Sequence, residues 1–417
     1  MKIAVVGAGI IGITTAYELA ADGHEVTVLE RRSAAAEEAS FANAGVIAPG
    51  YVTPWAGPGM PLKILSYLFR QHAPVKLSLP LSTRELAWIA HWYRACKLET
   101  YQTNRGHMNK LAVYSRDRLH QLSSQLQLDY ERSAGYLILL RSESDHSQAQ
   151  SALKFLRATD LVFKEIDGVQ ARQVEPALNS YTPLLGAIHL PDDEVGNCRQ
   201  FALQLKTEAQ KLGVVFSFQT AVESITPSRG IVLTLDGRAQ GRQFDGCVLC
   251  AGVDSAKLLA NCGLRIPLAA VYGYSISAPI RESVNAPRSA VMDERFKVAI
   301  SRLGKRIRVA GSAEFGGDLA KKRAGSIQTL YKVLSDWFPG AANLSGGVQE
   351  WKGARPMLPD GPPVIGASGI PQLWLNLGQG SSGWALSCGS ARVMADMISG
   401  RVPALDVCGF DPSRILR

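Results

Sequence analysis

The opening stretch MKIAVVGAGIIGITTAYELAADGHEVTVLERR leaves little freedom in how this chain begins. Lys2 to Val6 is a short apolar run of the kind buried in a parallel sheet. Gly7, Gly9 and Gly12 follow as G-x-G-x-x-G, with Ile10 and Ile11 between the last two. Helical character runs from Ile13 to Ala21 and stops at Asp22 and Gly23. Glu25 to Leu29 is a second strand, closed by Glu30. Each residue type has a physical task. Gly7 permits a tight turn, Gly9 lets the backbone approach a pyrophosphate, and Gly12 lets helix and strand pack closely. The helix start offers unpaired amides and a positive dipole end to phosphate. Glu30, at the second strand's tip, is placed to accept both ribose hydroxyls and disfavours a 2′-phosphate. Arg31 and Arg32 follow it, either to flank the adenosine or as solvated charges. Strand, glycine turn, helix, strand and acid at this spacing specify a dinucleotide site.

NAD and FAD both satisfy that motif, and the residues after it separate them. A nicotinamide domain continues into regular strand–helix units. Here Glu37 to Lys63 is irregular and rich in glycine, proline and small residues, as expected of a segment that wraps a ligand. Ser40, Asn43, Ala44 and Gly45 suit backbone contact with a flat ring system. A second strand–glycine–helix unit lies near the other end. Leu373 to Leu377 reads as a strand, Gly378, Gly380 and Gly383 break it, with Ser381 and Ser382 among them, and Trp384 to Ile398 reads as a helix. Its N-terminus can aim amides at an electron-rich ring edge. Two such loops at opposite ends of one chain suit FAD, with pyrophosphate at the first and isoalloxazine at the last.

The 417 residues, 46 % hydrophobic and 19 % charged, describe an ordinary globular chain of about two domains. The net charge of +9 is dispersed apart from short clusters such as Lys321 to Arg323, and no nucleic-acid module is visible. The seven cysteines form no framework and read as reduced thiols. Cys247 and Cys250 form a CxxC inside an apparent strand, which points them to opposite faces and makes them core thiols rather than a zinc or redox pair. No signal-peptide pattern and no membrane-spanning apolar run is present, so the chain is read as cytoplasmic. No metal site is expected.

Further along, helices are expected over 62–69, 83–97, 110–125, 144–158, 198–212 and 319–338. Strands are expected over 135–140 and 186–190, as one strand over 214–225, and as a β-meander over 231–249. Residues 268–280, 296–303 and 305–315 read as long alternating strands of a half-buried antiparallel sheet. The fold class is therefore α/β, with an α+β part: a Rossmann-like FAD-binding domain over 1–60, 195–266 and 350–417, interleaved with an antiparallel-sheet substrate domain over 61–194 and 267–349.

These motifs resemble those of the FAD-dependent amine oxidoreductases of the D-amino-acid oxidase and glycine oxidase group, and look most like its bacterial dehydrogenase branch. The resemblance is carried, in order along the chain, by VVGAGIIG, SFANAGVIAPGYVTPWAGPGMPLK, LPDDEVGNCRQFA, DERFKVAISRLGKRIRVAGSAE, GARPMLPDGPPVIG and LWLNLGQGSSGWALSCGS. It implies oxidative deamination of D-amino acids, with electrons passed to a quinone or another respiratory acceptor. An oxidase of glycine, sarcosine or a cyclic imino acid, or a flavin-binding subunit of a larger complex, are the alternatives. It also implies that Val222 covers the adenine and that Ala251 and Gly252 lie near the pyrophosphate.

Arg355 stands in the loop Gly353 to Gly366, which is stiffened by Pro356, Pro359, Pro362 and Pro363. A fixed fork of donors suits a substrate carboxylate. On the residues alone, a salt bridge to Asp360 or Glu350 explains it equally well; the resemblance implies the carboxylate. Tyr272 and Tyr274, alternate residues of one strand, are pocket candidates, as are Tyr51 and Trp55; core packing is the alternative for the first two. Where the family often has LKGYS and GHG, this chain has VYGYS and GQG, so Tyr272 and Gln379 are expected near the flavin in place of lysine and histidine. Leu62, Leu65, Leu68 and Phe69, flanked by Lys63, Arg70 and Lys76, read as a peripheral contact with the inner face of the cytoplasmic membrane, or else as a lid over the site or a core helix.

Overall fold

A computed structural model of the chain describes residues 1–67, 72–237 and 241–416. Leu68, Phe69 and Arg70 of the proposed membrane segment lie outside the described residues. In chain order the strands are β1 Lys2–Val6, β2 Glu25–Leu29, β3 Val46–Ile47, β4 Val75–Leu77, β5 Ser133–Leu140, β6 Lys164–Asp167, β7 Gly186–Val195, β8 Val215–Ser217, β9 Val222–Ser228, β10 Gly230–Leu235, β11 Arg242–Phe244, β12 Gly246–Leu249, β13 Ala269–Pro279, β14 Ala290–Asp293, β15 Val298–Leu303, β16 Arg306–Phe315, β17 Gln349–Met357, β18 Val364–Ala367 and β19 Leu373–Leu377. The helices are α1 Ile10–Ala21, α2 Met60–Tyr67, α3 Thr83–Ala95, α4 Leu98–Leu126, α5 Glu143–Arg157, α6 Gly168–Val174, α7 Cys198–Lys211, α8 Ser255–Asn261, α9 Ala324–Trp337 and α10 Gly383–Ile398.

Two large sheets organise these elements. The first is six-stranded, in the order β18-β19-β12-β1-β2-β8, with β19, β12, β1, β2 and β8 parallel. Its central strands are apolar on both faces because helices α1, α7 and α10 cover one side and the small sheet β11-β10-β9 covers the other. Cys247 and Cys250 are both buried, Cys247 in the core beneath the small sheet and Cys250 in the core beneath the helices. The second sheet follows the path β17-β13-β16-β15-β14-β5-β7-β3, with β4 and β6 paired at its sides. Helix α9 packs Leu330, Val333, Leu334 and Trp337 on one face of it.

The structure corrects several expectations. The run 214–225 is two strands in two sheets, because Gln219 adopts φ +51° and breaks it. The last strand of the expected meander, β12, leaves β9–β11 for the six-stranded sheet. Helix α4 begins twelve residues earlier than 110, at Leu98. The Arg355 stretch is not a loop at its start: residues 349–357 form β17, so the boundary drawn at 350 cuts into a strand of the larger sheet. Pro356 is tolerated there because β17 is an edge strand, where a missing N–H breaks no ladder.

Candidate active site

A continuous cavity of about 1260 Å³ runs between the two sheets. Ligand pockets for one small molecule span roughly 300–1,000 Å³, so this space suits a long cofactor together with a second, smaller molecule. The first glycine turn forms one wall. Gly7 has φ +104°, and a Cβ on Gly12 would lie 1.9 Å from the Gly7 carbonyl oxygen. Gly9 is different: its nearest neighbour would be Ser40 Oγ at 3.5 Å, so space is left over it for a ligand. No side chain caps α1 at Gly9 itself. Ser40 Oγ accepts from the Ile10 amide at 3.0 Å, and the Ile11 and Gly12 amides are left as the donors of the first turn. Glu30 lines the cavity and accepts from the Ala8 amide at 2.7 Å and the Arg32 amide at 2.8 Å. Each carboxylate oxygen keeps a further lone pair for a ligand hydroxyl. Arg31 reaches Glu38 at 2.6 Å and Asp254 at 2.7 Å, tying the β2 end to the turn after β12. Val222, Ala251 and Gly252 line the same end of the cavity.

The middle of the cavity is shaped by a strap, residues 42–45, which the sequence placed at the ligand without showing what holds it. Three polar side chains on neighbouring strands of the large sheet hold three consecutive carbonyls. Ser275 on β13 donates to Ala42 O at 2.8 Å, Arg308 on β16 to Asn43 O at 3.1 Å, and Ser301 on β15 to Ala44 O at 2.8 Å. Ser301 stands directly opposite Arg308, and Ser275 lies two residues along β13 from Ser277, which faces Arg308 on the other side. Among the described residues the amides of Asn43 and Ala44 find no acceptor, while the Gly45 amide is met by Asn43 Oδ1 at 3.0 Å. Asn43, Ala44 and Gly45 all line the cavity. The signal for the strap was legible in principle: serine and arginine stand at buried positions of otherwise apolar strands. Burial pushes the Arg308 guanidinium down to about 10, and no carboxylate among the described residues pairs with it.

The second glycine loop closes the far wall. The turn Gly380–Ser382 runs into α10, whose first amides therefore end at the cavity. Gly378 precedes the turn with φ +81°, set by the backbone. Ser381 Oγ accepts from the Trp55 indole at 3.1 Å. Gln379 is buried in the wall and donates to Asn376 Oδ1 at 2.7 Å, and Asn376 donates to Thr15 on α1 at 3.0 Å. These unpartnered amides, the open space over Gly9 and the acceptor at Glu30 fit FAD along one continuous path.

Arg355 lies on β17 opposite Val271, and Nη1 donates to Ser312 O at 3.1 Å. Neither expected acid meets it. Asp360 is taken by Arg414 at 3.0 Å, and Glu350 accepts from Tyr331. With no carboxylate beside it, burial alone pushes the guanidinium down to about 10. Its remaining neighbours in the cavity are Trp55, whose ring centre is 6.0 Å away, and Gly273. A Cβ on Gly273 would sit 2.3 Å from Nη2. Gly353 lies across from Gly273 on the same wall.

That geometry corrects the reading of the tyrosines. Gly273 faces Arg355, so Tyr272 and Tyr274 on either side of it turn to the other face. There the Lys352 ammonium lies 4.5 Å and 5.4 Å from their ring centres. Tyr274 is buried, donates to Glu314 and lines the cavity together with Lys352; Tyr272 does not line it. Lys352 is saturated by Glu314 at 2.8 Å and by the Asp318 and Lys321 carbonyls. Tyr51 does line the cavity, with Glu294 accepting from its hydroxyl at 2.9 Å. Thr53, Tyr101, Arg105, Glu294 and Lys297 join it there and were not singled out from the sequence.

Residues 2–397 match the family model described as FAD dependent oxidoreductase (DAO). A D-amino acid dehydrogenase of Bradyrhizobium diazoefficiens is 41 % identical over 416 residues, 99 % of each chain. Among solved structures, glycine oxidase from Geobacillus kaustophilus superposes with TM-score 0.75 at 21 % identity, covering 99 % of this chain and 98 % of that one. L-proline dehydrogenase from P. horikoshii superposes with TM-score 0.73 at 16 % identity, covering 99 % and 97 %. The chain belongs to the DAO family of FAD-dependent oxidoreductases.

Proposed function

From that membership we propose that the protein is a D-amino acid dehydrogenase, oxidising the Cα–N bond of a D-amino acid and passing electrons to a quinone or another acceptor than oxygen. The observation that carries the reading is Arg355: a guanidinium in the cavity wall with no carboxylate among the described residues to neutralise it. Full-length similarity to a dehydrogenase of that specificity supports it.

In this reading the α-carboxylate docks on Arg355 as a forked, charge-assisted pair. Ser312 O holds one nitrogen, and β17 holds the backbone, so the fork is set before substrate arrives. Glycine at 273 leaves the room that the guanidinium occupies. The strap presents the Asn43 and Ala44 amides, and α10 presents its first turn, to the cofactor ring. Glu30 and the α1 amides hold its ribose and pyrophosphate. When bound, FAD supplies the acceptor for the hydride leaving Cα. The imine product hydrolyses in water to a 2-oxo acid and ammonia. Residues 1–60, 195–266 and 358–417 make the cofactor lobe; the remainder, with β17, makes the substrate lobe. Helix α2 carries the protein onto an anionic membrane surface, where a quinone is reached. No helix among the described residues is long and apolar enough to cross a membrane.

The test is anaerobic mixing of holoenzyme with paired enantiomers of alanine and proline, followed by readmission of air. The reading expects D-enantiomers to bleach the flavin, L-enantiomers not to, and reoxidation by air to be slow. Bleaching by L-enantiomers would reverse the chirality, and fast reoxidation would make the protein an oxidase.

A further inference from the structure

Along the segment from Trp55 back to Tyr51 the cavity wall changes character. It is lined there by Tyr51, Thr53, Tyr101, Arg105, Tyr136 and Glu294. Arg105 is the unusual member. It projects from α4 and is only 2 % exposed, yet no carboxylate among the described residues pairs with it. Nη1 donates to the Tyr101 hydroxyl at 3.1 Å and to Ser151 O at 3.3 Å, and Nε makes no hydrogen bond. Phe155 covers one face of the guanidinium, its ring centre 3.9 Å away. An aromatic face offsets only part of the cost of taking a cation out of water.

The other charges nearby do not supply the missing anion. Lys297 pairs with Glu294, and the Tyr51 hydroxyl bridges the two, accepting from Lys297 at 3.0 Å and donating to Glu294 at 2.9 Å. That set closes on itself and is neutral. Arg105 is left as a net positive charge. The Tyr136 hydroxyl, buried with its ring 5.9 Å from that of Tyr51, also has no partner. The Tyr101 hydroxyl shares a 3.0 Å hydrogen bond with Thr53, two residues from the Trp55 ring that Arg355 overlies. One short segment therefore joins two uncompensated guanidiniums in one cavity.

We propose that the Arg105 lobe is a subsite for a second carboxylate, so that the preferred amino acid has an acidic side chain. Arg355 takes the α-carboxylate and Arg105, with the Tyr101 and Tyr136 hydroxyls, takes the side-chain carboxylate. This deepens the amino-acid reading above and rests on it. A neutral amide of the same shape brings no charge to the lobe and leaves Arg105 uncompensated.

The experiment is anaerobic stopped-flow reduction of the holoenzyme's flavin by D-glutamate and D-aspartate, each against its isosteric amide, D-glutamine and D-asparagine. The expected result is that in one pair the acid exceeds its amide in kred/Kd by roughly 10- to 100-fold. Arg105→Met then collapses that ratio toward one, and Arg105→Lys restores part of it. Acid and amide equal in both pairs, in the unaltered protein, would overturn the subsite, as would an Arg105→Met protein in which acid and amide fall together. The unaltered protein decides the first point even if the variant fails to fold. D-alanine in the same series separates the two levels: bleaching by D-alanine with no acid preference sinks only the subsite. No bleaching by any D-amino acid sinks both.

Discussion

Arg355 holds a charge that no carboxylate among the described residues neutralises, and in a half-buried wall such a charge is costly until an anion joins it. Its folded value, pushed down to about 10 by burial, lies below that of a free guanidinium. The sign follows. The penalty is fully present at neutral pH, where the group is still charged, and is released only above about 10. Between pH 6 and 9 Arg355 is a constant cation, so kcat/KM should rise with pH as the substrate amine loses its proton. It should turn down only above about 10. Arg355→Met should lower kcat/KM by roughly 10²- to 10³-fold, as expected for a forked charge-assisted contact. It should leave the rising limb where it was and the protein still yellow. A pH–rate series on both forms checks this; a shifted limb would mean that Arg355 titrates in that range. Arg308 carries a similar buried charge, but its partners are the Asn43 carbonyl and Ser277, so it organises the cavity wall and does not wait for a ligand.

Strand β13 shows how one element divides its two faces between binding and support. Its unbroken pairing with β17 sets Gly273 under Arg355, and both tyrosines against Lys352. Gly273→Ala should push the guanidinium aside. Affinity for amino acid should fall at least ~10-fold while FAD binding and the melting temperature change little. Titration with substrate and with FAD on the same preparation reads both. Elements with strong periodicity were legible before any coordinates: β1, β2 and β19 run over the residues expected, because apolar runs bounded by glycine or acid have few other uses. β17 was hidden because Pro356 argues against a strand until one knows that the strand is an edge. The early half of α4 was hidden because Thr103, Asn104 and Gly106 interrupt its pattern; yet Arg105 continues the buried stripe of Met108, Ala112, Leu119 and Leu122, and a charge on that stripe was a signal. Tyr274 lines the cavity as expected, but Tyr272 does not, because alternation says that two residues share a face, not which face it is or how far along it the cavity reaches.

At the scale of the whole molecule, the cavity is made where two sheets from interleaved pieces of chain meet, and it is lined near α2 by Met60 and Lys63. On that helix Leu62 and Leu65 are 75 % and 57 % exposed, with Leu79, Leu86 and Tyr93 exposed on the segments that follow. Lys63→Gln should weaken binding to anionic vesicles by roughly fivefold, the worth of one basic residue at a charged surface. Binding to neutral vesicles should not change, and flotation of the holoenzyme with both compositions reads the difference. Equal binding of the two proteins to anionic vesicles would remove the membrane from the account. The sequence led to the expectation that both ends of the chain serve one cofactor, but not to how tightly they are woven. The strand after β1 in space is β12, and beyond it lies β19. Helix α1 packs its buried face against α10. A ribosome therefore delivers the first nucleotide-binding turn long before the strand and helix that complete its fold. Until residues 373–398 emerge, α1 has β1, β2 and α7 beside it but an oily flank where α10 will lie, so closure of this core waits for that late strand and helix.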